Sequence, residues 1–290
     1  MKRGLLRGLT ILAFILSVSA SPGLDWPVSP VSVIGEFGSP MRGYPMPGIF
    51  LGGAALEIRA AGKGELSFSR SARDARTKLP SVLGSTVVSE GAEGISQLYG
   101  FLPDSIDAAS LSMAAGSLVT RSAQTNSSPV PGFFFSLFDR KTGRWVNPRM
   151  FLPPLADTKA PSIRRVSMEG RDKVYVLGDQ KTLPQGIYSL LIESIESSGT
   201  SQDPIIGPPY YLRVLVNGEK LAELKTEIAA TTSGYLSFYP EERNGAELLD
   251  GQGRLRLPPR SFARGKTSIE VLVRDFAGNE RSAGWILSVE

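Results

Sequence analysis

Short apolar or alternating runs, separated by clusters of glycine, proline, asparagine and aspartate, recur along most of the chain, and no segment sustains a strong helical period. Alternation of apolar and polar residues is typical of β-strands that bury one face, whereas glycine and proline end regular structure. With 31 glycines and 21 prolines among 290 residues, turns are frequent enough to separate many short strands. The pattern therefore predicts an all-β protein.

Nine runs have the length and composition of strands. They span residues 55–58, 64–69, 85–89, 95–101, 132–138, 186–193, 210–216, 268–275 and 284–289. Asn217 and Gly218 supply the two residues with positive φ that a tight β-hairpin requires. In the strand before this turn, we expect Leu212, Val214 and Val216 to share one buried face.

The chain contains no histidine and no cysteine. Ser-His-Asp triads, Cys-His pairs, Fe–S clusters, disulfides and zinc sites built from histidine or cysteine all need one of these residues. Most of the common hydrolytic machinery is therefore excluded by composition.

The first twenty residues predict a secretory signal peptide. Lys2, Arg3 and Arg7 lead into an apolar run at 9–16, and small residues at 18–20 offer a cleavage site. That run is shorter than the roughly 20 residues that span a bilayer. Removing residues 1–20 leaves 29 basic and 28 acidic residues, a net charge of 29 − 28 = +1, so no nucleic-acid partner is expected. We expect a periplasmic or secreted protein with no stable membrane insertion after cleavage.

A proline-rich stretch divides the chain. Pro153, Pro154 and Pro161 disfavour continuous regular structure between them. We therefore predict one domain at residues 21–155, a linker at 156–162 and a second domain at 163–290.

The first predicted domain carries several motifs in a characteristic order. These are Trp26-Pro-Val28, Ile34-Gly-Glu-Phe-Gly38, the hairpin-like segment 55–66, Tyr99-Gly-Phe-Leu102 and the segment 133–148, which ends in Asn-Pro. In order and spacing, residues 26–155 resemble the lysostaphin/LytM-type zinc metallopeptidases, bacterial enzymes that cut peptide cross-links in peptidoglycan. The resemblance implies a LytM-like β-sheet domain built on a duplicated hybrid motif.

At every position where the resembling family carries its chemistry, this chain has a different residue. The resemblance places Met46, Phe50 and Phe134 at the zinc-ligand positions, Gly132 at the catalytic-base position and Phe101 at a further histidine of the groove. Phenylalanine and glycine side chains offer no donor atom for zinc, and a lone thioether is a poor ligand. The resemblance therefore implies a pseudoenzyme with no catalytic residue, no metal and no cofactor, because no metal-activated water can form.

Two alternatives remain for these apolar replacements. Because they would converge in the resembling fold, they could fill the former metal cavity with core, or they could line a retained binding groove.

Residues 163–290 carry strand spacing and turns that resemble an Ig-like β-sandwich without the cysteine pair of antibody domains. This part is also similar to the accessory Ig-like domain that follows the peptidase domain in some bacterial relatives, most clearly at 208–218.

The resemblance implies a secreted, non-catalytic protein that binds peptidoglycan or a cell-wall amidase or other hydrolase and regulates or positions it. Two other functions stay open. One is a structural envelope adaptor whose former groove has no role, and the other is a hydrolase that uses a different, unrecognised site.

Overall fold

The computed structural model describes residues 23–41, 44–53, 56–72, 82–103, 112–121, 132–196, 205–232, 235–238, 243–244, 248–250 and 253–290. The predicted signal peptide lies outside the described residues. Twenty-six β-strands and two short 3-10 helices, Ala92–Gly94 and Pro148–Met150, make up the regular structure of the described residues. The all-β prediction is confirmed. Within these same ranges, no helix has the length and apolar character needed to cross a bilayer.

The strands of the N-terminal part, residues 23–155, have between two and eight residues. They are β1 (Val33–Gly35), β2 (Pro40–Met41), β3 (Tyr44–Pro45), β4 (Ile49–Gly52), β5 (Glu57–Arg59), β6 (Gly64–Arg70), β7 (Ser85–Gly91), β8 (Ile95–Leu102), β9 (Ser112–Met113), β10 (Leu118–Arg121), β11 (Gly132–Asp139) and β12 (Arg144–Val146).

The C-terminal part contains the remaining strands, the first of which begins at Ser162. They are β13 (Ser162–Glu169), β14 (Val174–Val176), β15 (Thr182–Leu183), β16 (Gly186–Glu196), β17 (Ile205–Ile206), β18 (Tyr211–Val216), β19 (Glu219–Lys225), β20 (Ile228–Thr232), β21 (Tyr235–Phe238), β22 (Arg243–Asn244), β23 (Leu255–Arg256), β24 (Arg260–Phe262), β25 (Gly265–Arg274) and β26 (Glu280–Val289). Three of them, β16, β25 and β26, are the longest strands among the described residues.

An eleven-stranded sheet dominates the N-terminal part. Its main order is β22-β21-β20-β12-β11-β8-β7-β6-β9, with β4 paired to β11 and β1 paired to β4. Strand β11 is buried on both faces: Phe133, Phe135 and Leu137 enter the main core, and Phe134 faces the opposite side. A strand that is apolar on both faces must be covered on both sides, which places β11 at the centre of this part.

The C-terminal part is built from two sheets that share a core. One has the order β14-β13-β16-β17, with β23 and β24 also paired to β16, and the other has the order β15-β26-β25-β18-β19. Met168 and Leu190 from the first sheet and Leu212, Ile269 and Val273 from the second are all fully buried in this core. Two sheets that bury their facing sides in this way form a β-sandwich.

The hairpin between β18 and β19 has the predicted turn. Asn217 and Gly218 have φ values of 54° and 79°, and Leu212, Val214 and Val216 are buried on one face of β18. Asn217 Oδ1 also accepts a hydrogen bond of 2.8 Å from the Ser268 backbone amide, which ties the turn to β25. The prediction of this hairpin is confirmed.

The two parts share a β-sheet, which the sequence does not reveal. Strand β20 follows the sandwich strand β19 in the chain but pairs with β12, with Trp145 opposite Ala229 and Val146 opposite Ile228. Phe37 and Phe238 also pack into the core of the sandwich. Residues 153–161 contain no strand or helix. The domain bounds stay a prediction, but β20–β22 contribute to the sheet of the N-terminal part.

Candidate functional site

The residues at the positions of the resembling family's chemistry lie together. Met46, Phe50, Phe101 and Phe134, joined by Met41, form one buried group that we call the aromatic cluster. None of the five side chains is more than 9% exposed. The structure thus groups residues that are up to 93 positions apart in the chain.

Strand pairing explains how two of the rings meet. Phe50 on β4 is directly opposite Phe134 on β11, and their ring centroids are 5.1 Å apart at 48°. Phe101 also stacks on Phe50, with centroids 6.3 Å apart and planes 25° from parallel. These separations are typical of attractive aromatic pairs. The rings therefore fill the space between β4, β8 and β11 with packed apolar volume.

Met46 closes this group from the segment after β3. The Met46 amide donates to the Ser39 carbonyl at 3.1 Å, and the Met46 carbonyl accepts from the Gly38 amide at 2.9 Å. The backbone around Met46 is thereby held against the turn that follows β1. Its thioether is the only heteroatom that the side chains of the aromatic cluster offer besides that of Met41, so the donor set does not fit zinc.

Gly132 sits at a point where no side chain fits. Its φ is +149°, and a Cβ atom built on it would lie 2.1 Å from the Leu51 carbonyl oxygen. Real Cβ atoms do not approach a backbone oxygen so closely. The position that the resemblance assigns to a catalytic base is therefore closed to a general base unless the pairing of β4 with β11 changes.

Phe101 adopts an unusual backbone conformation for an aromatic residue. Its φ is +56°, a region that costs a residue with a side chain of this size about 1 kcal/mol or more. Its amide donates a hydrogen bond of 2.6 Å to the Leu83 carbonyl. The Phe101 ring packs on Phe50, and this aromatic contact offsets part of the cost of the strained backbone.

A buried polar network lies on the other face of β8. The Tyr99 hydroxyl accepts from the Ala61 amide at 2.8 Å and donates to Gln97 Oε1 at 2.9 Å. Gln97 Oε1 also accepts from the Gly62 amide at 3.0 Å. Burial raises the pKa of Tyr99 far above its ordinary value. This network satisfies backbone amides that water cannot reach, so it supports the core and offers no reactive group.

The carboxylates of the described residues do not form a metal site. In the ranges that the structure describes, no three histidine, cysteine, aspartate or glutamate residues are arranged to hold a metal ion.

A second buried group of polar residues was not expected from the sequence. Glu36, Arg149, Glu196 and Asp275, which we call the junction cluster, meet where the N- and C-terminal parts touch, and none is more than 8% exposed. Arg149 Nη1 lies 2.5 Å from Glu36 Oε1. The Arg149 guanidinium also lies 5.2 Å from the centre of the Phe276 ring. No motif marks these residues, because they come from four separate segments of the chain.

The environment of the junction cluster raises the pKa values of two of its carboxyl groups. Burial raises the pKa of Glu196 well above its ordinary value, and the charges of Glu36 and Asp275 raise it further, against a smaller lowering by Arg149. Burial also raises the pKa of Glu36, although Arg149 opposes the shift. A buried carboxyl group beside other carboxylates favours its neutral form.

A more open concavity of about 240 Å³ lies on the sandwich, between the turn after β13 and the start of β16. Lys173 Nζ lies 4.9 Å from the centre of the Tyr175 ring, and that ring meets Tyr188 edge to face at 5.8 Å. Ile187, on the rim, is 66% exposed. The concavity thus offers cationic, aromatic and apolar surface together, in contrast to the closed aromatic cluster.

Similarity to known proteins is limited. A protein-family model matches residues 160–290, and no curated protein matches the chain. Among solved structures, the NMR solution structure of lysostaphin is similar to this chain with 14% sequence identity and a TM-score of 0.37, over 84% of this chain and 94% of lysostaphin. At that identity and TM-score, the likeness carries no conclusion about function.

Proposed function

We propose that this protein is a non-catalytic, cell-wall-associated protein of the bacterial envelope that binds peptidoglycan or a cell-wall hydrolase and positions or regulates it. The observation that carries the proposal is the aromatic cluster. Met46, Phe50, Phe101 and Phe134 occupy the positions that the lysostaphin/LytM resemblance assigns to chemistry, and they are packed as core. The conformation of Gly132 supports the loss of catalysis, since a histidine side chain there would collide with β4.

The first test concerns metal and catalysis. The chain without residues 1–20 is incubated with equimolar zinc, dialysed and assayed for bound metal, and is then mixed with labelled sacculi. We expect no stoichiometric zinc and no release of label. Tight zinc binding at one ion per chain would contradict the proposal, and cleavage of sacculi that survives a chelator would favour a hydrolase with a different site.

The second test asks which surface binds. Since the aromatic cluster is closed, the concavity beside Tyr175 is the better candidate for a recognition surface. We expect the chain to co-sediment with sacculi or to capture a cell-wall hydrolase from an envelope extract. A double variant, Lys173→Ala with Tyr175→Ala, should weaken that binding, whereas Tyr44→Ala, which removes a 61% exposed aromatic residue of the N-terminal part, should not.

One observation favours the second candidate, a structural envelope adaptor without a groove function. Phe134 is 1% exposed and Met46 is 9% exposed, so the former site presents almost no surface to a partner. Capture of the same non-hydrolase envelope proteins by the wild type and by both variants, with no binding to sacculi, would support the adaptor and overturn the first proposal.

A further inference from the structure

The junction cluster combines three buried carboxyl groups with one buried guanidinium. Glu36 follows β1, Arg149 lies in the second 3-10 helix, Glu196 ends β16 and Asp275 begins the turn between β25 and β26. Glu36 and Glu196 line one small space together with Asn147 and Phe276, which lie close to Arg149 and Asp275 in the chain. If all three carboxyl groups were ionised, the cluster would hold two more negative than positive charges away from water.

Two of the three carboxyl groups have partners that suit the charged form. Glu36 is paired with Arg149. Asp275 accepts two hydrogen bonds of 2.8 Å from Asn279, one from its backbone amide and one from its side-chain amide. Such partners stabilise a carboxylate that solvent does not reach.

Glu196 differs from both. Its residue is 8% exposed, and within the described part of the chain no arginine or lysine forms an ion pair with its carboxyl group, as Arg149 does with Glu36. The small space that it lines with Glu36, Asn147 and Tyr210 is too narrow to admit a water molecule. A carboxylate that is buried without a cationic partner is disfavoured, whereas the neutral acid is tolerated.

The charged groups that face Glu196 reinforce this preference. Glu36, Asp275 and, from the linker, Asp157 disfavour a further negative charge, and Arg149 is the one group among the described residues that favours it. Tyr210 lines the same small space as Glu196. Its hydroxyl donates a hydrogen bond of 2.5 Å to Glu227 Oε1, and burial raises the pKa of Tyr210 to about 12. Tyr210 therefore stays neutral at physiological pH and adds no charge beside Glu196.

We propose that the contact between the N- and C-terminal parts is pH-sensitive: it is closed while Glu196 carries a proton, and it loosens when Glu196 ionises. Because the pKa of Glu196 is higher in the closed protein than in an open one, the stabilisation is complete at acidic pH. It is lost as the pH rises through the raised value. The inference does not depend on the proposed function.

Amide hydrogen exchange of the chain without residues 1–20, followed by mass spectrometry between pH 5 and pH 8, tests the proposal. After correction for intrinsic rates, the opening constant of peptides from segments 145–152 and 274–280 should increase with pH. Where opening releases one proton from Glu196, the increase should reach tenfold per pH unit. Peptides from the centre of β16, which report on the sandwich core, should stay protected across the range.

A matched pair of variants identifies the group. Glu196→Gln keeps the shape but cannot ionise, so its junction peptides should open independently of pH. Glu270→Gln, at an exposed site on β25, should keep the wild-type slope. A flat wild-type profile, or an unchanged slope in Glu196→Gln, would overturn the proposal. Carboxyl carbon NMR of the wild type gives a check without any substitution: titration of Glu196 at the pH of an exposed glutamate would overturn it as well.

Discussion

At the scale of single residues, Gly132 is the position that best separates this chain from the chemistry that it resembles. A catalytic base needs a side chain with a free path to substrate, and the β11 backbone at Gly132 leaves none. Phe134, which the resemblance assigns to a zinc-ligand position, carries a ring that is 1% exposed. At these two positions the chain therefore has either no side chain or an apolar ring, and neither can act as a general base.

The conformation of Gly132 leads to a stability prediction. Gly132→Ala should lower the free energy of unfolding by about 3 kcal/mol, because the new Cβ must displace the Leu51 carbonyl as well as adopt a positive φ. Gly143→Ala is the control, since Gly143 also has a positive φ of 67° but nothing within 4 Å of its Cβ position. It should lose about 1 kcal/mol. Equal losses in urea unfolding would show that the contact with Leu51 does not matter.

At the scale of elements, Asn217 in the hairpin between β18 and β19 combines a positive φ with a side-chain hydrogen bond, and two substitutions distinguish their contributions to stability. Asn217→Gly keeps the positive φ but removes the hydrogen bond to Ser268, and should destabilise the protein by about 1 kcal/mol. Asn217→Ala removes the bond and also strains the backbone, which should bring the loss to about 2 kcal/mol. Urea unfolding of both variants measures the difference, and an alanine variant as stable as the glycine variant would contradict the argument.

The local sequence pattern predicts these elements well, because strand alternation and turn formation depend on residues that are close in the chain. The alternation that predicts a strand at 64–69 and the turn residues after β18 need only neighbours in the chain, and the structure has strands at Gly64–Arg70 and Tyr211–Val216. The pairing of β20 with β12 could not be predicted this way, because it joins residues about 80 positions apart. The junction cluster could not be predicted for the same reason, because Glu36 and Arg149 are 113 positions apart in the chain.

The place of the aromatic cluster was predictable only in part. Composition alone excluded histidine and cysteine ligands, and the resemblance assigned Met46, Phe50, Phe101 and Phe134 to one region. Whether that region would be a groove or core depends on side-chain packing between β4, β8 and β11. Apolar residues suit both outcomes, so only the three-dimensional structure, in which the cluster is buried, distinguishes them.

At the scale of the whole molecule, the shared sheet and the shared core make the two parts interdependent. Phe37 and Phe238 enter the core of the sandwich, while β20 extends the sheet of the N-terminal part. A boundary at the proline-rich linker therefore divides the chain into two segments that remain joined by the pairing of β12 with β20.

Residues 160–290 expressed alone should retain the sandwich but lose the order of β20–β22. In this fragment β20 has no β12 to pair with, and Phe238 loses its edge-to-face contact with Phe37 at 6.0 Å. An unpaired strand edge with an exposed aromatic residue favours association, so we also expect the fragment to aggregate more readily. Amide exchange should show protection in β16 and β25 at nearly the level of the full chain, and protection in β20 and β21 at least tenfold lower. Equal protection of β20 in fragment and full chain would mean that the C-terminal part folds as an independent domain and that pairing with β12 adds nothing to it.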